Sequence, residues 1–188
     1  MPIAPKKIKI QSIKDAIGLS GKRVLVRLDI NLPIENGRIV DATRIEKALP
    51  TIKFLREAGA RVIIMSHLGG GEMSLKEVAH YFNEFMPVLF IPQVLGKEVE
   101  ETISALPEGG VLMLENLRRD KGEKENNSFF ALSLSRLGDI YVNEAFSVSH
   151  REHASIVSLP KLLPRYAGFQ FKEEVKELSI VLTPKKPF

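Results

Sequence analysis

The stretch KRVLVRLDINLP (residues 22–33) decides the fold. Its first half, KRVLVRLD, is a short apolar run with β-branched residues, the pattern of a buried strand. Its second half breaks at Pro33. Asn36-Gly37 just beyond supplies turn chemistry, and Arg38–Val40 is expected to return as a brief hairpin arm. Runs of the same kind recur at RVIIMS (61–66), VLFI (88–91), GVLMLE (110–115) and DIYVNEA (139–145). Helical patterns fill the intervals. Ile45, Leu49, Ile52 and Leu55 lie at spacings of four and three on a helix that Asp41 is read as capping and Gly59 as ending. Pro50 inside that helix is expected to kink or interrupt it. Ser74 and Glu77 read as a capping box for a helix at about 74–85. Further helices are expected near 96–105, at 127–138 and over FQFKEEVKELSIVL (169–182). Ser12 reads as the cap of a short helix, SIKDAI, and RRDKGEKENN (118–127) as a charged, solvated loop. Nearly continuous apolar strands alternating with helices predict an α/β fold: a three-layer, Rossmann-like parallel sheet of five strands with helices on both faces.

Composition is consistent with this and excludes other classes. The chain has 188 residues, 44% hydrophobic and 27% charged, which excludes wholesale disorder, collagen and coiled coil. That length suits one domain, about residues 1–180. The last residues, 181–188, ending in TPKKPF with its two prolines, read as the start of a linker. No apolar run approaches a membrane span, and MPIAPKKIKIQ lacks the apolar core of a secretory signal. The absence of cysteine excludes disulfides, thiol catalysis and Cys-ligated zinc, and leans towards the cytoplasm. A net charge of +4 suits an anionic small molecule as well as nucleic acid. There is no tryptophan and no basic run longer than two residues, which argues against nucleic acid.

In an open parallel sheet, ligands bind beyond the carboxyl ends of the strands. The residues there are Arg27, Asp29 and Asn31 after the first strand, and Ser66, His67 and three glycines after the second. Glu115, Asn116 and Arg118 follow the fourth, and Asn143, Glu144, His150, Arg151 and His153 follow the fifth. Arg44 falls in the first turn of the helix after the hairpin. Arginines brought together in this way make a clamp for carboxylate or phosphate. Each also has a plainer reading: Arg44 as the ion-pair partner of Asp41 or Glu46, His67 as a loop cap, Asp29 as a turn residue. Neither a G-x-G-x-x-G after a strand nor a G-x-x-x-x-G-K-[ST] occurs, so no nucleotide site is visible. The two histidines of HREH have a spacing that could suit a metal, but their segment is not clearly helical, and no metal is expected.

At these residues the chain resembles a known family. VLVRLDINLP, DATRI, MSHLG, LENLR, LGDIYVNEAF, SHREHAS and AGFQFKEEVKEL are similar, in order and spacing, to the motifs of the N-terminal domain of phosphoglycerate kinases, from about Ser12 to Phe188. The resemblance implies a cytoplasmic, monomeric glycolytic enzyme of two Rossmann-like domains. It moves a phosphoryl group between 1,3-bisphosphoglycerate and ADP to give 3-phosphoglycerate and ATP. The domain resembled here holds the phosphoglycerate, and a C-terminal domain holds Mg-ADP or Mg-ATP. Motif by motif, Asp29 and Asn31 would hold the substrate's hydroxyl and carboxyl end, and Arg44 would stabilise the transferring phosphoryl group. His67, Arg118 and Arg151 would hold the distal phosphate and carboxylate, with Ile30, Leu68, Gly69 and Gly70 in the same substrate-binding set. The resemblance implies no metal ligand in this half, no nucleic acid and no membrane.

Three departures qualify it. The family's SHLGRP reads SHLGGG here, so Gly70 stands where an arginine is usual and Gly71 where a proline is usual. The loop is expected to be loose, with one anion ligand missing. Glu144 replaces an aspartate and Ser147 a glycine. The chain stops at KKPF, where the family's second domain would begin, so by itself it is expected to bind phosphoglycerate without turnover. A non-catalytic anion-binding or regulatory module on the same scaffold is the alternative.

Overall fold

Apolar strands with no polar face need cover on both sides, and two separate hydrophobic clusters provide it. The computed structural model describes residues 10–35 and 38–182. The Asn36-Gly37 turn, the first nine residues and the TPKKPF tail lie outside the described residues.

The strands of the main sheet are β1 (Arg23–Leu28), β4 (Arg61–Met65), β5 (Leu89–Phe90), β6 (Val111–Met113), β7 (Ile140–Glu144) and β8 (Arg165–Ala167). β2 (Ile34–Glu35) and β3 (Arg38–Ile39) form the small antiparallel hairpin expected after β1. The helices are α1 (Thr43–Glu57), α2 (Lys76–Phe82), α3 (Lys97–Ala105), α4 (Lys121–Lys124), α5 (Ser128–Ser135) and α6 (Phe169–Leu182). The sheet order is β5-β6-β4-β1-β7-β8, with every pairing parallel. The chain winds outward from β1 to one side through β4, then returns to the other side through β7. The order therefore reverses at β1, and the crevice expected at such a reversal opens at the carboxyl ends of β1, β4 and β7.

Alternation along β1 sends Val24, Val26 and Leu28 into the cluster with Ile45, Leu49 and Ile52 of α1 and Val78 and Phe82 of α2. Leu25 joins Val99 and Ile103 of α3 and Phe130 and Leu134 of α5 on the opposite face. α6 packs on α1, with Phe54 and Phe169 rings 5.3 Å apart.

Several expectations need correction. α1 runs through Pro50 without interruption. Proline removes only the bond to the Glu46 carbonyl; Pro50 is on the exposed side, where water can serve that carbonyl, while Leu49 and Ile52 anchor the buried side. The helix begins at Thr43 behind an Ala42 cap, although the Asp41 carboxylate still accepts from Thr43 N–H at 2.8 Å. No capping box forms at α2, which spans only Lys76–Phe82. Buried Glu115, at the end of β6, accepts from the Ser74 hydroxyl at 2.8 Å and from Leu75 N–H at 2.9 Å. Ser12 caps as expected, its hydroxyl accepting from Lys14 N–H at 3.4 Å, but the helix it opens is a single 3₁₀ turn, Ile13–Asp15. β8 is a sixth strand that the pattern did not show; three residues, Arg-Tyr-Ala, are too few to display a period. The supposed solvated loop at 118–127 folds into a 3₁₀ turn and α4, and its Glu123 is fully buried.

Candidate functional site

β1 carries Arg27 near its end and leads into Asp29, and only the second lines the cleft. Arg27 shares its side of the strand with Leu25 and is fully buried. Asp29, just past the strand, is paired with Arg44 from the first turn of α1 and accepts a hydrogen bond from the Ser147 hydroxyl. Arg44 therefore pairs with Asp29, not with Asp41 or Glu46. A cleft of about 440 Å³ opens here, lined by Asp29, Arg44, Lys47 and Ser147 among others. It does not reach Arg118 or Arg151.

His67 follows β4 and lies beside this pair, its Nε2 3.8 Å from Asp29 Oδ1. Its imidazole is almost wholly buried. Burial, and then the charges of Arg27, Arg118, His153 and Arg151, push its pKa down to about 2. At neutral pH it is an uncharged hydrogen-bonding group. Arg118 follows β6, and its Nη1 donates to the Gly69 carbonyl at 2.7 Å. Burial and the facing charges of Arg151 and Arg27 lower its pKa. Arg151 is exposed, but close enough to act electrostatically on Arg118, His67 and His153.

The glycine loop is tied down. Gly69 N–H donates to Asn31 Oδ1 at 3.0 Å, the Gly69 carbonyl takes Arg118, and Gly70 N–H donates to Glu72 at 3.1 Å. Buried Asn116 adds two bonds from Nδ2, to the carbonyls of Leu68 (2.6 Å) and Met73 (2.8 Å). The loop expected to be loose is therefore clamped by LENLR residues. Ile30 and Leu68 are placed at the site by chain position, yet their side chains are in the core, at 0% and 1% exposure. Only their backbones could face a ligand, and Ile30 N–H is already taken by Ser66 Oγ at 3.1 Å.

Behind the crevice is a network that the sequence reading missed. Glu123 of α4 accepts from the Ser155 hydroxyl at 2.6 Å and from Ser155 N–H at 2.9 Å. Its Oε1 lies 3.8 Å from Arg27 Nη2. The signal was available: an arginine inside a fully apolar strand requires a buried counter-charge. No group of three or more acidic or histidine side chains able to hold a metal occurs among the described residues, those of HREH included.

At the carboxyl end of a parallel sheet Arg44 thus pairs with Asp29 and Arg27 with Glu123, while Arg118 feels both carboxylates and the charge of Arg151. The family profile for phosphoglycerate kinase matches residues 13–188, nearly the whole chain. The chain belongs to the phosphoglycerate kinase family. Among curated relatives, the phosphoglycerate kinase of Wolbachia pipientis from Culex pipiens is 46% identical over 178 residues, covering 91% of this chain and 45% of the relative. That of Caulobacter vibrioides is 43% identical over 182 residues, covering 92% and 46%. Among solved structures, the Pyrococcus horikoshii phosphoglycerate kinase superposes with a TM-score of 0.88 at 30% identity, over 95% of this chain and 47% of that one. The Coxiella burnetii enzyme gives 0.84 at 35% identity over the same shares. The chain spans about half the length of these phosphoglycerate kinases. The doubly wound parallel fold matches theirs, and no helix among the described residues is long and apolar enough to cross a membrane.

Proposed function

We propose that residues 1–180 form the phosphoglycerate-binding domain of a cytoplasmic phosphoglycerate kinase, with 181–188 leading towards a nucleotide-binding domain that holds Mg-ADP or Mg-ATP. The observation that carries this reading is the convergence of Asp29, Arg44, His67, Arg118 and Arg151 on one sheet edge in a chain of this family. The reaction moves a phosphoryl group from the acyl phosphate of 1,3-bisphosphoglycerate to ADP. Such a transfer depends mostly on positioning and on stabilising charge, which is what arginines supply.

In this reading Asp29 and Asn31 meet the hydroxyl and carboxyl end of the substrate. Arg44 faces the transferring phosphoryl group. It leaves Asp29 to do so, and the Asp29 carboxylate keeps the Ser147 hydroxyl as a donor. Arg118 and Arg151 take the distal phosphate and carboxylate, and neutral His67 contributes a hydrogen bond rather than a charge. Gly69 and Gly70 border the same anion through their backbone.

Calorimetric titration of the chain with 3-phosphoglycerate tests the proposal. Binding is expected, weakening steeply as salt rises and lost in Arg118→Ala and Arg151→Ala. No heat with 3-phosphoglycerate at millimolar concentration, in a protein that is folded, would overturn it. ATP is expected to give no heat with this chain, and turnover is expected only when a nucleotide-binding half is supplied. One observation favours the alternative of a non-catalytic anion-binding module: Gly70 where the family usually has an arginine. Binding without turnover in the presence of that second half would select it.

A further inference from the structure

Arg27 is fully buried and does not line the cleft, and nothing in the proposed chemistry uses it. Its guanidinium is nonetheless held at every nitrogen. Nε donates to Ser155 Oγ at 2.8 Å, and that hydroxyl donates onward to Glu123 Oε1 at 2.6 Å. Nη1 donates to the Leu28 carbonyl. Nη2 has Glu123 Oε1 at 3.8 Å and His67 Nδ1 at 3.1 Å. Ser155 is itself fixed by Glu123 through its N–H and by the Tyr141 hydroxyl, which donates to its carbonyl at 2.8 Å.

A guanidinium has only donors. A ring nitrogen 3.1 Å from one must offer its lone pair, so His67 Nδ1 carries no proton. The remaining ring proton is then on Nε2, the nitrogen 3.8 Å from Oδ1 of Asp29, which lines the cleft. We propose that Arg27 is a positioning residue: locked by Ser155 and Glu123, it fixes His67 as the neutral Nε2–H tautomer, so that the imidazole presents a donor to the bound phosphoglycerate. The inference rests on the substrate reading above and deepens it. The charges facing His67 agree with a neutral ring. Arg27 comes from β1, Arg118 from the turn after β6, and Arg151 and His153 from the segment after β7, and all four disfavour a second ring proton. Asp29 alone among the named neighbours would favour one, from 3.8 Å. A carboxylate in Arg27's place would demand the opposite tautomer, with a proton on Nδ1, and would withdraw the donor from the site.

The test is long-range proton–nitrogen NMR of the full chain labelled with ¹⁵N-histidine, the His67 signals being assigned by their loss in His67→Gln. The expected result is an unprotonated Nδ1 and a protonated Nε2, unchanged from about pH 8 to about pH 5, where ordinary histidines titrate. Arg27→Lys keeps the buried charge but cannot reach both Ser155 and His67. It is expected to give a tautomer mixture and to weaken 3-phosphoglycerate about tenfold or more, the loss of one charge-assisted bond. A purely structural role for Arg27 would leave the tautomer unmoved. A protonated Nδ1, averaged tautomers, or an imidazolium in the unsubstituted chain would overturn the proposal, and this arm stands even if Arg27→Lys does not fold. A folded Arg27→Lys with unchanged spectrum and affinity would also overturn it. The expected tautomer with no 3-phosphoglycerate binding would instead overturn the substrate reading alone.

Discussion

Gly70 and Gly71 are neighbours with opposite tolerances. At Gly70 an added Cβ would meet only the Glu72 carboxylate, 2.8 Å away at the end of a flexible side chain. Gly70→Arg is therefore expected to be accommodated, and it would restore the arginine usual in the family. If the side chain reaches the anion, 3-phosphoglycerate should bind more tightly by about 1.5–3 kcal/mol, one to two decades by calorimetry. Unchanged affinity in a folded variant would mean that another basic group already fills that place. Gly71 has φ +127°, and a Cβ there would lie 2.4 Å from the Arg118 carbonyl oxygen, which is backbone. Gly71→Ala should lower stability by about 1–3 kcal/mol in a denaturant titration and weaken 3-phosphoglycerate at the same time, because the strain falls on Arg118.

At the scale of elements, the entry into α6 depends on one carboxylate from another strand. Glu144, at the end of β7, accepts from Gln170 N–H at 3.2 Å, from Phe171 N–H at 3.0 Å and from the Thr51 hydroxyl of α1. Thr51 Oγ1 in turn accepts from Phe169 N–H at 3.0 Å. The first turn of α6 is thus capped by tertiary contacts and not by its own sequence. Burial raises the pKa of Glu144, and the bonds from Phe171, Thr51 and Gln170 partly offset that rise. Glu144→Ala should leave two helix N–H groups unpaired and cost about 1–3 kcal/mol each way the loss is measured, by urea or by heat. Normal stability with a protected α6 in hydrogen exchange would show that the cap is dispensable. Pro50 tests the opposite case. α1 already tolerates it, so Pro50→Ala should restore one exposed helix bond and raise stability by about 1–2 kcal/mol, since the gain of up to about 3 kcal/mol is offset by a freer unfolded chain.

For the whole molecule, the histidines set the response to acid. His67 has a folded pKa of about 2 against an ordinary value near 6.5. Below about pH 6.5 the unfolded chain takes up a proton that the folded chain refuses. Stability should therefore fall as pH drops, by up to about 1.4 kcal/mol per pH unit from this group. His153, also lowered, chiefly by burial, adds in the same direction. Glu144, with its pKa raised by burial, opposes the trend, because its folded form takes up a proton before its unfolded form does. Between about pH 6.5 and about pH 5 the loss is thus a histidine effect. His67→Gln keeps an acceptor for Arg27 and removes the titration. Its unfolding midpoint should change less over that interval than that of the unsubstituted chain, and equal slopes would refute the assignment.

Apolar runs for the strands and apolar stripes for the helices carried the layers of this fold. Val24, Val26 and Leu28 alternating with Leu25, and Ile45, Leu49, Ile52 and Leu55 on one helical stripe, are local patterns that two-sided burial imposes. The crevice followed from that, because a parallel sheet brings Asp29, His67 and Arg118 to the same edge whatever their distance in the chain. Tertiary structure alone decided which charges meet there. Arg44 takes Asp29 rather than Asp41, Glu115 rather than Glu77 serves the start of α2, and Glu123 leaves an apparently solvated run to neutralise Arg27 from far along the chain. A strand buried on both faces is an unbroken apolar run and a helix repeats its apolar face every 3.6 residues, so a single sequence displays them. The pairing of buried charges has no period: it is settled by desolvation, which leaves Arg27 no stable place except beside a carboxylate that the fold has also removed from water.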